Sequence, residues 1–292
     1  MNAGPTSVAA DTLNLSVRCS KADGSIIAFG HNDYGQLNVP SPNTGFVGLA
    51  AGGIHSLGLR NVLPARADSS GIDKVRTITL SFTSASTIGA AHPTAIRVQL
   101  VSLHHVDPPY TGGPSAPFTS FEGQIRWVGP PAEYVESSAN PIPFYAASLQ
   151  CTPYYQNWST VGLLHVTGSA IVPSSLYEVV NVGASCIGAE ESCTVVSAPL
   201  EVVTTRWGDV EVPYNPPSPT VQPDVGDIGA LLNKFRSVPG APIKVRALLA
   251  GNDSFGNITT TVLGVDFDFS HIAACVDAFR GKPYPYTIQS CP

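Results

Sequence analysis

Between residues 72 and 210, apolar and polar side chains alternate with a period of two, as in strands buried on one face only. Arg76, Ile78, Leu80 and Phe82 share one side of such a strand, and Thr77, Thr79 and Ser81 the other. Ile96, Val98 and Leu100 alternate with Arg97 and Gln99, and Phe121, Ile125 and Trp127 with Glu122, Gln124 and Arg126. Further runs at 145–151, 160–166, 176–182, 193–197 and 200–207 bring the strands to eight. Eight half-buried strands predict a two-sheet β-sandwich. An antiparallel arrangement is expected, because parallel pairing calls for helical crossovers and this stretch has no helical period.

After Val210 the pattern changes. Residues 213–219 are proline-rich and read as a stiff linker unable to join a sheet interior. Beyond it the period becomes helical and the same helix occurs twice, 223–239 aligning without gaps on 267–283 at an offset of 44 residues with six identities. Ile228, Leu231, Leu232 and Phe235 fall at i, i+3, i+4 and i+7, as do Ile272, Cys275, Val276 and Phe279, so each helix carries one apolar stripe. The two stripes are expected to bury each other. Asp224 and Asp268 stand where N-caps belong, and Pro239 and the Gly281–Pro283 stretch end the helices.

Residues 24–60 form a third kind of unit, short apolar runs such as 26–29 punctuated by Gly24, Gly30, Gly35 and Gly45. Gly30, Gly35, Gly52 and Gly53 are candidates for positive φ. Residues 7–18 match 49–60 at an offset of 42, with Ala9, Leu15 and Arg18 falling on Ala51, Leu57 and Arg60. Together with the segment 38–43, Asn-Val-Pro-Ser-Pro-Asn, this resembles a repeat of the regulator of chromosome condensation family. That resemblance implies a β-propeller, which typically needs about four to eight blades. One and a half units are visible, so the expectation is an incomplete blade and a chain cut from something longer. The opening residues have neither a basic start nor an apolar stretch of signal-peptide length.

The expected fold class is therefore mainly β with a small α module: a partial propeller-type blade at 1–62, a linker at 63–71, an antiparallel β-sandwich at 72–210, a Pro-rich linker at 211–222, and a duplicated helix pair with its tail at 223–292.

Composition narrows the function classes. Charged residues make up 12% of the 292, and the net charge is −6. A chain with no basic cluster is not expected to bind nucleic acid, and the chromatin role of the eukaryotic members of the repeat family does not carry over. No apolar run approaches the roughly 18 residues of a membrane span. Six cysteines allow fifteen connectivities. Cys186 and Cys193 are candidates for a local bridge across a turn, and Cys275 for one to Cys291. Disulfides imply an oxidising compartment, hence an extracellular or cell-surface location. No close Cys or His pair suggests zinc.

The duplicated helix after a linker resembles the type I dockerin module, over about 221–286. In that family each helix follows a calcium loop ending on an oxygen ligand. Counting back from Asp227 places Pro216, Ser218 and Thr220 at the first ligand positions, and counting back from His271 places Thr260, Val262 and Gly264 there. Carboxylates remain only at Asp224, Asp227 and Asp268, whereas calcium takes six to eight oxygens. No cofactor is expected and calcium is disfavoured. The run from the strands through Trp207-Gly-Asp-Val210 to Pro283-Tyr-Pro-Tyr286 also resembles the C-terminal region of large secreted bacterial proteins, which implies architecture and no activity.

Catalytic patterns are missing. There is no Gly-x-Ser-x-Gly elbow, no His-Glu-x-x-His and no phosphate loop. His104, His105 and Asp107 lie together, but neighbouring histidines on a strand face opposite sides. His165 alternates with Val161 and Leu163 and reads as a core histidine. The expectation is a non-catalytic, secreted or cell-surface structural or protein-interaction protein, docking a partner through Phe235 and Phe279 of the helix pair. The alternative is a carbohydrate-binding module using Tyr154, Tyr155 and Trp158, which calls for a groove lined by coplanar exposed rings.

Overall fold

The structure is a computed structural model and describes residues 7–10, 16–20, 25–33, 35, 37–39, 43, 46–51, 56–60, 65–66, 72–73, 75–81, 93–103, 120–137, 140–193, 196–197, 199–211, 223–251 and 266–292. His104, His105, Asp107, Asp253 and the proline-rich stretch 212–222 lie outside them.

The first sixty residues hold two separate ladders. Strands β1 (Ser7–Ala10), β2 (Ser16–Ser20) and β3 (Ile26–Gly30) form an antiparallel meander, and β4 (Phe46–Ala51) pairs with β5 (Ser56–Arg60) as a hairpin. The Asn43 side chain ties the two regions, accepting from Ile26 N at 2.7 Å and donating to Ile26 O at 2.8 Å. Gly30 and Gly35 have φ of 113° and 74°; Gly52 and Gly53 lie outside the described residues.

The large sheet corrects the expected fold class. After β6 (Ala65–Arg66) and β7 (Ile72–Asp73) come β8 (Ile78–Ser81), β9 (Thr94–Leu103), β10 (Ile125–Val128), β11 (Ala132–Ser137), β12 (Asn140–Gln150), β13 (Leu163–Thr167), β14 (Ser175–Gly183) and β15 (Leu200–Thr204). Seven of them, in the order β8-β13-β12-β10-β9-β14-β15, curl into a nearly closed barrel. The protein is a mixed β/α fold, neither an open propeller blade nor an antiparallel sandwich. A blade needs four strands in one ladder, and β3 is not bonded to β4. Period-two alternation reports that one face is buried and is silent on whether the sheet closes.

Closure comes from β12, whose eleven residues serve three neighbours. It pairs antiparallel with β11 over its first half, parallel with β13 at Tyr145–Ser148, and antiparallel with β10 at Leu149 and Gln150. The chain passes from β10 to β11 through Gly129, where a Cβ would lie 2.9 Å from the Ser148 carbonyl oxygen, so only glycine allows both strands on one edge of β12. The parallel β12–β13 pair contradicts the all-antiparallel expectation. Its crossover is 151–162, with a single 3₁₀ turn at Trp158–Thr160 in place of a helix. A second parallel contact, β7 with β15, nearly completes the ring. Within the expected strand 193–197, Val196 makes an isolated bridge to Val182, and 194 and 195 lie outside the described residues.

Inside the barrel Ile96, Val98, Leu100, Val128, Leu164, Val166, Tyr177 and Val179 form the main core. Their neighbours along the strands point outward into two satellites. Trp127, Val180 and Val182 pack under the 184–197 loop, while Tyr134 and Ala146 pack under Val245 and Leu248. The helices continue the main core. Helices α1 (Val225–Phe235) and α3 (Phe269–Phe279), separated by the single turn α2 (Lys244–Ala247), contribute Ala230, Leu231, Ile272, Cys275 and Ala278 to the same cluster as the barrel interior.

Aromatic rings pack together just after β15, next to Arg76 on the approach to β8. Trp207 is 1% exposed and meets Tyr284 edge-on at 5.1 Å and Tyr286 at 6.3 Å. Arg76, equally buried, lies over both tyrosine rings and donates to Leu249 O at 3.1 Å. The two short motifs that resemble secreted-protein termini are therefore in direct contact.

Candidate functional site

The duplicated helices repeat down to individual hydrogen bonds. Asp224 Oδ1 accepts from Gly226 N, and Asp268 Oδ1 accepts from Ser270 N at 2.8 Å. At the other ends Ser237 and Gly281 both have positive φ, and Val238 N and Lys282 N close equivalent bonds to Asn233 O and Asp277 O. Position three of each helix holds the preceding chain. Asp227 accepts from Val210 N at 2.8 Å, Glu211 N at 3.0 Å and Asp224 N at 2.8 Å. His271, its counterpart, accepts through Nδ1 from Leu249 N at 3.2 Å and Ala250 N at 3.0 Å.

These bonds decide the role of the candidate calcium ligands. Asp224 and Asp268 cap helices and Asp227 completes a capping box, its carboxylate already surrounded by N–H donors. Among the described residues no three His, Cys, Asp or Glu gather as a metal site. A deeper ionic cluster lies beneath. Asp209 is fully buried, and burial together with the Asp227 carboxylate raises it to about 8, with Arg246 and Arg206 opposing.

His271 sets a pH response. Burial, partly offset by Asp268 and reinforced by Arg76, lowers it to about 4. The unfolded chain binds this proton near 6.5 and the folded chain does not, so stability falls as pH drops from 6.5 towards 4, by up to about 3 kcal/mol. A doubly protonated ring would also set a donor against two N–H donors. His271→Asp, which copies the other helix, is expected to flatten this window; urea melts of both proteins at pH 7, 5.5 and 4 measure the difference.

The remaining candidates are placed as follows. Cys186 is bonded to Cys193, while Cys291 is bonded to Cys151 and not to Cys275, a buried thiol inside the core beside Gly208 O. The pairing differs from expectation because Cys275 sits on the inward stripe of its helix and is buried in the core, while Cys291 lies beside Cys151 at the end of β12. Trp158 is buried, its indole N–H on Thr94 O at 2.8 Å, and Tyr154 meets it edge-on with 77° between the rings. Tyr155 is half-buried and its hydroxyl reaches Glu190. These three do not form coplanar exposed rings. His165 is buried against Thr79, Tyr134 and Phe144.

Phe235 and Phe279 stand out into solvent at 52% and 46% exposure. They are not alone. Of nine exposed large apolar residues among those described, six belong to the helical region: Val225, Phe235, Val238, Ile243, Phe269 and Phe279. Phe235 and Phe269 meet edge-on at 6.3 Å, joining the end of α1 to the start of α3. Beside them opens a groove of about 540 Å³, walled by Phe235, Val238, Ile243 and Phe267, with the Glu136–Lys234 ion pair at its edge. Sequence reasoning missed Phe269. Its signal was present, since it follows the N-cap and lies off the apolar stripe, where an aromatic ring has no core to enter.

Compared with protein families, curated proteins and solved structures, the chain matches none. No described helix is long and apolar enough to cross a membrane.

Proposed function

We propose that this chain is a non-catalytic interaction module of a secreted or cell-surface protein, and that the outer face of its helix pair docks a protein partner. The observation behind this reading is the concentration of exposed apolar side chains on one small unit, with Phe235 and Phe269 touching and Phe279 at the other end. Contiguous apolar surface of this kind marks interaction sites, and buried aromatic anchors commonly contribute about 2 kcal/mol or more to binding. Two disulfides are in keeping with an oxidising compartment. The glycan-binding alternative lacks comparable support, since Tyr154 and Trp158 are perpendicular and Trp158 is buried.

A photo-crosslinking amino acid placed at position 235, 279 or 29 tests this reading on the surface of the source cell. Phe29 is equally exposed but lies on the N-terminal meander. One discrete protein adduct from 235 and 279, absent from 29 and lost when Phe269→Asp is added, is the expected result. Adducts of the same pattern from all three positions, or none from the helices, would sink the docking face.

A further inference from the structure

Arg126 is a buried cation without a counter-charge. Its residue is 7% exposed, and it lies at one mouth of the barrel beside Val98, Leu100, Leu149, Tyr177 and Ile288. All its hydrogen bonds go to neutral oxygens: Ile125 O at 2.9 Å, Gln124 Oε1 at 2.8 Å and Gln289 O at 2.9 Å. No carboxylate pairs with it among the described residues, and burial alone pulls the guanidinium below its usual range. A guanidinium in an apolar setting ordinarily meets a carboxylate or phosphate, whose two oxygens match its fork of N–H groups.

The mouth is covered by the chain's own segment 287–292. Ile288, 4% exposed, plugs it and leaves a void of only about 10 Å³ against the barrel wall. Gln289 follows, its N–H on Ser169 Oγ at 3.1 Å and its carbonyl on Arg126. Cys291 then fastens the segment to Cys151 at the end of β12. An aliphatic side chain thus fills the apolar part of the mouth, and a carbonyl oxygen takes the place in front of the guanidinium.

We propose that this barrel mouth is a binding site for an amphipathic carboxylate, an aliphatic chain ending in a carboxylate group, and that segment 287–292 occupies it in cis as a fastened strap. Ile288 stands in for the aliphatic chain and the Gln289 carbonyl for the carboxylate. Cys151 is exposed, so an external dithiol reaches the fastening. One of its thiolates attacks a sulfur of the bridge to give a mixed disulfide, and its second thiol resolves that. The dithiol leaves as a disulfide, and two electrons and two protons end on Cys151 and Cys291 as thiols. The freed strap then yields the mouth to the ligand.

Titration calorimetry with n-octanoate and n-octanol on the full chain tests the assignment. The oxidised protein is expected to bind neither measurably. Cys151→Ser/Cys291→Ser is expected to bind octanoate at least tenfold more tightly than octanol, and adding Arg126→Gln to remove that preference while leaving octanol unchanged. The wild-type chain reduced with dithiothreitol is measured in parallel in case the paired substitution unfolds the chain; it too should prefer octanoate. Folding is checked by near-ultraviolet circular dichroism of the buried tryptophans. The proposal is overturned if the folded open variants bind octanoate no better than octanol or no better than the oxidised protein does. Persistence of the preference after Arg126→Gln overturns it equally.

Discussion

Trp207→Ala is expected to cost about 3–5 kcal/mol of stability, the range for deleting a buried tryptophan from a packed core. A domain of ordinary stability has only about 5–15 kcal/mol in total, so this variant stands near the threshold of folding. The reason is position as much as size. Trp207 is 1% exposed and its ring is met edge-on by Tyr284 and Tyr286, which in turn carry the Arg76 guanidinium. Removing the indole therefore leaves a cavity at the seam beside β8 and β15, whose outer edges are held only by the two-residue pairings with β6 and β7. Denaturant melts followed by far-ultraviolet circular dichroism measure the loss. Val101→Ala, on an exposed side chain, is the control and should shift the midpoint little. A loss below about 1 kcal/mol for Trp207→Ala would mean that the seam contributes nothing to holding the barrel.

The two disulfides are expected to differ in worth. Cys151–Cys291 closes a loop with a sequence separation of 140, against 7 for Cys186–Cys193. Chain-entropy estimates give about 5 kcal/mol for the first and about 2 kcal/mol for the second. Paired serine substitutions at each bridge, melted in guanidinium chloride, should show the long bridge dominating. Equal losses would place the stabilisation in local packing of the 184–197 loop instead. The long bridge also holds Ile288 and Gln289 in the barrel mouth, so its loss should expose the amide of Gln289 to hydrogen exchange long before global unfolding.

The strands were legible wherever one face was wet. β9, β14 and β15 lie in runs where charged or amide side chains such as Arg97, Gln99, Glu178 and Glu201 alternate with core residues, whereas β10 is buried on both faces. β11 was not, because Pro130 and Pro131 precede it and read as a break, whereas the chain uses them to bend two strands onto one edge of β12. Barrel closure was equally hidden, since it depends on which edge each strand bonds, and alternation carries no information about edges. The helix pair was fully legible because duplication supplied two readings of one pattern. The stripes bury themselves in the barrel core as well as against each other, and Phe235 and Phe279, at the helix ends, stand exposed. Arg126 read as an ordinary outward polar residue, since nothing in the local sequence announces that a segment more than 150 residues later folds back across it.

The order in which the seam's parts appear along the chain has a consequence for biosynthesis. Arg76 and Trp207 leave the ribosome well before the tyrosines and the half-cystine that lock them down, so the nascent barrel stays unsealed until residues 284–291 have emerged. Export factors or an oxidase acting before residues 284–291 emerge would meet a polypeptide whose barrel strands are made and whose closing clasp is still to come.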